Sequence, residues 1–163
     1  MRATADGDSF DVVIVGGGPG GYATALYGAA AGLSVAIVEQ DLVGGTCLHR
    51  GCIPAKEFLE TAAVFRTVAG AKEFGVLADQ PTVDFSASQA RKQKVVGQLH
   101  RGLAGLLKSR TVTVVDGHGT LRPGRVVQVD GPDGTRELRG EHPHNGTRFG
   151  AACWLRRRSH RWD

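Results

Sequence analysis

A chain of 163 residues, 41% hydrophobic and 22% charged, has the size and make-up of one soluble globular domain, with little room for a second. No stretch is apolar for long enough to span a membrane, and the opening MRATADGDSF carries acids and no apolar core, so residues 1–8 are expected to be a disordered end rather than a secretory signal. The net charge of +4 would suit nucleic acid, but residues 140–163 hold five arginines against Glu141 and Asp163, a net +3, which leaves only +1 for the first 139 residues and makes nucleic acid an unexpected partner.

Phe10 to Val15 is a short apolar run, as in a strand buried on both faces. It leads into Gly16-Gly-Gly-Pro-Gly-Gly21. An Ala-rich helix is predicted over Tyr22 to Ala31, ended by Gly32, with a second strand over Ser34 to Glu39. Beyond the cysteines, Phe58, Ala62, Phe65 and Val68 mark one face of a helix over Glu57 to Ala71. Asp84 or Ser86 can cap a third helix, whose apolar stripe is Val96, Leu99, Leu103 and Leu106. Thr111 to Val115 reads as a strand and Asp116 to Gly119 as a turn. Val126 to Val129 and Thr135 to Leu138 read as a hairpin around Asp130-Gly-Pro-Asp-Gly134. There is no internal repeat.

Gly16-x-Gly18-x-x-Gly21 gains weight from its context: strand before, helix after, acid later. The glycines would serve a tight turn, the approach of backbone to a pyrophosphate, and close helix–sheet packing. Amides at the helix start would hold the diphosphate. Glu39, 23 residues after Gly16, can accept hydrogen bonds from a ribose diol. The motif selects a dinucleotide without choosing between FAD and NAD. The plain alternative is a glycine turn and a surface Glu.

Cys47 and Cys52 lie in GGTCLHRGCIPAK, and Cys153 makes the count odd. With no export signal, a cytoplasmic setting is expected, where a close cysteine pair is more often catalytic or metal-binding than a staple. A regular helix would hold positions i and i+5 about 7.5 Å apart along its axis and on different faces. A disulfide needs Cα atoms within roughly 7 Å. Pairing therefore requires a bent loop or a distorted first turn, which Gly51 eases. Zinc would want further Cys or His at set spacings, and His49 sits too close to Cys47 to supply an obvious set, so no metal is expected. A small closed loop adds little stability as a staple. Redox exchange uses all the features: the cations Arg50 and Lys56 and a nearby helix start would favour a thiolate.

GGTCLHRGCIPAK resembles the redox-active segment of the class I flavoprotein disulfide reductases (pyridine nucleotide-disulfide oxidoreductases), a family that includes dihydrolipoamide dehydrogenase and glutathione, mercuric and mycothione reductases. Leu48-His49-Arg50, the stretch VVGQLHRGLAGLL from Val95 to Leu107, and Val114-Val-Asp-Gly-His-Gly119 most resemble the dihydrolipoamide dehydrogenase branch. The similarity covers about residues 9–139. It implies an α/β fold: an incomplete Rossmann-like FAD-binding domain, a parallel sheet with flanking helices and a β-hairpin excursion. It implies that Gly16, Gly18, Pro19, Gly20, Gly21, Glu39, Gly45, Thr46 and Gly119 line FAD, with Lys56 near the flavin N5 side. Cys52 would be the thiol nearest the flavin, forming the charge-transfer thiolate, and Cys47 the interchange thiol, the two joined as a disulfide in the oxidised state. His49 and Arg50 would be loop residues, since the family's base comes from a C-terminal His–Glu pair on the partner subunit.

The implied activity is electron transfer from a dihydrolipoyl dithiol, on a 2-oxo acid dehydrogenase complex, to NAD through Cys47–Cys52 and FAD. Family members are homodimers. A non-catalytic FAD-binding remnant and another disulfide reductase of the family are the alternatives. No second GxGxxG, C-terminal His–Glu pair or interface domain is present, so these residues alone are expected to be inactive, and residues 9–139 to form a partial FAD domain. The family returns to its FAD sheet through a segment like I-I-A-T-G-S-x-P-R soon after the position of Gly140. Residues 140–163 instead form an Arg-rich tail, and the return strand is expected to be missing. Read one base later, codons for Arg148 to Cys153 can spell G-S-A-P-R, which suggests a frameshift; a variable C-terminus is the alternative.

Overall fold

A computed structural model describes residues 8–145, with side chains as far as 141. The expectations for the first seven residues, Cys153 and the tail beyond Asn145 lie outside the described residues. The chain divides into two compact units, one from Met1–Val43 and Ala104–Asp163, the other from Gly44–Leu103. Among the described residues no helix is long and apolar enough to cross a membrane.

The first unit is a six-stranded sheet in the order β3 (Thr113–Asp116), β2 (Val35–Glu39), β1 (Ser9–Val15), β6 (Gly134–Asn145), β5 (Val126–Gly131), β4 (His118–Arg122). β1 (Ser9–Val15), α1 (Pro19–Ala30) and β2 (Val35–Glu39) form the expected strand–helix–strand, with β1 and β2 parallel and Val13 opposite Ala36. β3 (Thr113–Asp116) extends the parallel part beside β2. Strand period 2 sorts the buried residues onto two faces. Ile14, Val35 and Ile37 share one face, where Gly21 and Gly28 of α1 come close to Ile14 and Val35. Val13, Val15, Ala36, Val38 and Val115 share the other and cluster with Val127, Val129 and Leu138.

Those last three belong to an antiparallel ribbon of β4 (His118–Arg122), β5 (Val126–Gly131) and β6 (Gly134–Asn145). The expected hairpin is there, closed more tightly, with only Pro132 and Asp133 between the strands. The expected turn at Asp116–Gly119 is reduced to Gly117 at φ +149, and β4 begins at the next residue. β6 also corrects the expectation of a missing return strand. After Arg139 it runs parallel to β1, with Val13 opposite Pro143 and Val15 opposite Asn145. Strand pairing is made by backbone groups, so a segment without the family's side chains still fills the slot beside β1. Pro143 falls where β6 has left β5 and, among the described residues, pairs with β1 alone, the place where a strand tolerates proline.

The second unit is helical: α2 (Gly45–His49), α3 (Cys52–Ala69), a 3-10 turn at Ala71–Phe74, and α4 (Phe85–Ser109) up to Leu103, its last residues belonging to the first unit. Asp84 caps α4, its Oδ1 accepting the Ala87 N–H at 3.1 Å. Phe58 stacks on Phe85 at 5.5 Å, and Glu57 pairs with Arg91 at 2.9 Å. His49 meets His100. These contacts climb α4 as they descend towards α2, so α3 and α4 are antiparallel. The α4 stripe needs correcting at two positions, the first being Leu99, which is exposed. Val96 is buried, but Leu106 is exposed and Leu107 is the fully buried residue.

Candidate functional site

β1 ends at Val15 and α1 starts at Pro19, so Gly16, Gly17 and Gly18 make the whole connection. Gly16 turns the chain at φ +97, a region that favours glycine, and its N–H donates to the Val38 carbonyl at 2.8 Å. Gly18 caps α1 without a side-chain hydrogen bond, and no acid sits in the first turn, so no capping side chain engages the first amides. Pro19 suits the first helical position, where its missing N–H has no helical partner to lose. A Cβ on Gly18 or Gly20 would meet nothing within 4 Å, whereas one on Gly21 would overlap the Gly16 carbonyl. The three glycines of the motif, Gly16, Gly18 and Gly21, thus have distinct tasks: turn, open approach and close packing.

Glu39 closes β2 beside this loop. Its Oε2 accepts the Gly17 N–H at 2.7 Å and its Oε1 the Asp41 N–H at 3.0 Å. The Gly17 contact is one the sequence reading missed. Each carboxylate oxygen keeps further lone-pair capacity, so a ribose hydroxyl can still be received. Gly119 packs against the ends of the same strands; a Cβ there would lie 3.0 Å from Val15 and 3.1 Å from Val38. Open space over Gly18 and Gly20, uncapped amides and an acid at the strand end fit the ADP half of FAD.

In the second unit, Gly44 at φ +107 starts α2, and a Cβ there would overlap Leu48, the buried residue of that helix. Gly45 opens α2 at φ +57, with Thr46 exposed beside it. α2 ends at His49, and Arg50 and Gly51 break the helix before α3 starts at Cys52. His49 is therefore helical and Arg50 its C-cap, rather than both lying in a loop. This break supplies the required distortion. Gly51 has φ −127 and ψ −105, and a Cβ there would lie 3.0 Å from the Thr46 carbonyl. Pro54 is the third residue of α3, a position whose N–H has no partner within the helix.

Cys47 is half-buried, Cys52 is exposed, and both are free thiols, the reduced form of the disulfide the sequence reading pairs. A side-chain hydrogen bond with Cys52 raises the Cys47 pKa above the ordinary thiol value, and burial and the Cys52 charge act the same way. The Cys52 backbone N–H and the Lys56 ammonium oppose the rise without reversing it. The helix start and Lys56 thus favour a Cys47 thiolate as expected, but the neighbouring sulfur wins. Among the described residues no three His, Cys, Asp or Glu side chains gather as metal ligands. The sequence reading gave no role to His100, whose ring meets His49 at 5.2 Å. Its helix face was legible, since His100 stands four residues after Val96 of the apolar stripe, but its partner was not.

The sequence profile of the pyridine nucleotide-disulphide oxidoreductases matches residues 10–139. The chain belongs to this family. A dihydrolipoyl dehydrogenase of Acholeplasma laidlawii is 46% identical over 123 residues, 75% of this chain and 37% of that one. Another, from Bacillus subtilis, is 46% identical over 112 residues, 69% of this chain and 24% of that one. Among solved structures, the Cu(II) complex of the HOCl-induced flavoprotein disulfide reductase RclA from Escherichia coli superposes with a TM-score of 0.70 at 28% identity, covering 84% of this chain and 28% of that one. Members of the family are FAD-dependent disulfide oxidoreductases, with NAD(P) used by the full-length enzymes. The chain spans about a quarter to just over a third of the length of these relatives.

Proposed function

We propose that this chain is the FAD-binding and dithiol-bearing part of a dihydrolipoyl dehydrogenase. The observation that carries the reading is the pair of thiols brought into hydrogen-bond contact by the helix break at Arg50–Gly51. Gly16, Gly18, Pro19, Gly20, Gly21 and Glu39 hold the ADP half of FAD, supported by the open space and free first turn at α1. Gly45, Thr46, Lys56 and Gly119 complete the cofactor contacts, and Cys52 is the thiol facing the flavin. Bound flavin supplies a two-electron acceptor for the dithiol.

The chain's own chemistry is disulfide exchange. A substrate thiolate attacks Cys47 Sγ, the Cys47–Cys52 bond breaks, and Cys52 leaves as a thiolate. The second substrate thiol, deprotonated, then attacks the substrate sulfur joined to Cys47. The substrate disulfide closes, Cys47 leaves, and two electrons now reside on the pair. The raised Cys47 pKa favours protonation of the released sulfur. The substrate in this reading is the dihydrolipoyl group of a 2-oxo acid dehydrogenase complex, the enzyme a cytoplasmic homodimer. The family-like portion covers residues 9–139, and residues 140–163 are a tail of other origin, even though the backbone of β6 runs on to Asn145.

These 163 residues alone should lack dihydrolipoamide:NAD turnover, because the base and the nicotinamide site come from parts of the enzyme outside them. Proximity and orientation supply about 7–11 kcal/mol of a well-catalysed barrier. Robust turnover by this chain alone would refute that statement. The likeness to RclA favours a second reading, a disulfide reductase acting on another substrate, which a substrate panel on the full-length enzyme separates. The cofactor assignment has its own test. A Cβ on Gly18 meets nothing within 4 Å, so Gly18→Val should leave the fold intact while its side chain blocks the pyrophosphate. FAD binding by fluorescence should weaken at least about tenfold, or about 1.4 kcal/mol. Equal binding by both proteins would sink the assignment.

A further inference from the structure

We propose that His100 of α4 is a positioning residue for the Cys47–Cys52 exchange, acting through the ring of His49. The inference rests on the reading of this pair as redox partners. α2 has five residues, too few to hold a helix by itself, so its contacts decide its orientation. Leu48 is buried against the Gly44 turn, and the Gly51 break ties α2 to α3. The third restraint is the edge-on contact of His49 with His100, ring centroids 5.2 Å apart and planes at 67°.

Position matters here. His49 follows Cys47 by two residues, about 200° round the helix. The two side chains therefore leave α2 on nearly opposite sides, and a ring held at His49 fixes the rotation that aims Cys47. A rotation of about 20° moves a helical side chain by about 1 Å at its base. Disulfide closure needs an S–S distance of about 2.05 Å with convergent Cβ vectors, so such a shift is felt directly. His100 is half-buried on the face of α4 that carries buried Val96, which makes it an anchor for the shorter helix.

Equilibration of the full chain in glutathione buffers reads this out. The Cys47 thiolate attacks glutathione disulfide, forming a mixed disulfide and releasing one glutathione thiolate. The Cys52 thiolate then attacks Cys47 Sγ, closing the pair and releasing the second. Acid quenching and peptide mapping give the ratio of closed pair to mixed disulfide. His100→Ala should lower this ratio by about three- to tenfold, the loss of effective concentration expected from a misaimed thiol. His100→Phe keeps a ring edge and should stay within about twofold of wild type. His49→Ala removes the other ring and should match His100→Ala, which preserves the test if one variant fails to fold. A folded His100→Ala or His49→Ala protein that closes like wild type overturns the proposal, as does a folded His100→Phe protein that closes no better than His100→Ala. If the wild-type pair never closes, the redox reading falls and the inference with it. Normal closure in both wild type and His100→Ala removes the inference alone.

Discussion

Within the first unit, Val13, Ile14, Ala25, Ala36 and Ile37 are completely shielded from solvent. Within the second, α3 buries none of its 18 residues, and Phe74 and Leu77 stand 83% and 87% exposed. The glycine loop is therefore anchored to a packed sheet that fixes its backbone from below. The cysteine pair is shaped by a helix break, a left-handed glycine and a few ring and ion-pair contacts. A cradle for a large anion gains from rigidity, whereas a sulfur that must form and break bonds in alternation needs neighbours that tune it. The contrast predicts that substitutions in the first unit register chiefly as stability, and substitutions in the second as reactivity.

The largest expected effect is Gly21→Ala. Its Cβ would overlap the Gly16 carbonyl, a backbone atom that cannot swing aside, so α1 must shift off the face of Ile14. Urea denaturation should show a loss of about 3 kcal/mol or more, at the upper end for overpacking. A loss below about 1 kcal/mol would mean that the loop is not held as tightly as its packing indicates.

The second unit should respond in thiol chemistry instead. Removing the neighbouring sulfur in Cys52→Ala takes away the main cause of the raised Cys47 pKa. A lower pKa leaves more of Cys47 as thiolate at pH 8, so its alkylation should quicken severalfold. Lys56→Gln removes a stabilising charge and should slow it, with little change in unfolding free energy. Equal rates in all three proteins would show that neither neighbour governs the thiol.

The same contrast governs what could be read in advance. β1, α1 and β2 follow from periodicity and glycine placement, because a packed sheet enforces the pattern that a sequence displays. The need for a break between Cys47 and Cys52 was equally legible, since helix geometry forbids the contact otherwise. Leu106 and Leu107 show where reading fails: adjacent leucines fit a helical stripe almost equally, and only packing chooses Leu107. β4 was hidden behind an Asp-Gly turn signal because His118 to Arg122 lacks a clean alternation. β6 beyond Arg139 was hidden because backbone pairing with β1 leaves no side-chain signature. The His49–His100 contact joins residues far apart in sequence, which no local pattern reveals.

A smaller effect separates two helix ends built alike. At the end of α1, the Leu33 N–H reaches the Gly28 carbonyl at 3.1 Å, with Gly32 at φ +82. At the end of α4, the Val112 N–H reaches the Leu107 carbonyl at 3.0 Å, but the left-handed position is held by Thr111 at φ +56. A β-branched residue is strained there, and glycine is the usual occupant. Thr111→Gly should stabilise the chain by about 0.5–1 kcal/mol in urea, the strain relieved exceeding the backbone entropy added. Destabilisation would show that the Thr111 hydroxyl, bonded to the Arg110 carbonyl at 2.7 Å, outweighs the strain.

The smallest effect lies on the outer face of the ribbon, where the first unit behaves more like the second. Asp130 on β5 stands opposite His118 of β4 and Thr135 of β6. Its Oδ1 accepts the Thr135 hydroxyl at 2.7 Å and the Gln128 amide at 3.1 Å. The Thr135 bond, then the Gln128 bond, lowers the Asp130 pKa, and the charges of His118 and Arg122 add to the fall. The folded chain thus favours the carboxylate. That contribution is present above the unfolded aspartate value of about 3.9 and is lost as pH falls through the lower folded value. Because the carboxylate is exposed, water and salt screen it, so the midpoint of titration is a better measure than stability. Carbon-detected NMR should place the Asp130 midpoint below the ordinary aspartate value, and Thr135→Val should move it back upward. A midpoint at or above the ordinary value in the wild type would mean that the ribbon does not hold Thr135 against Asp130 in solution.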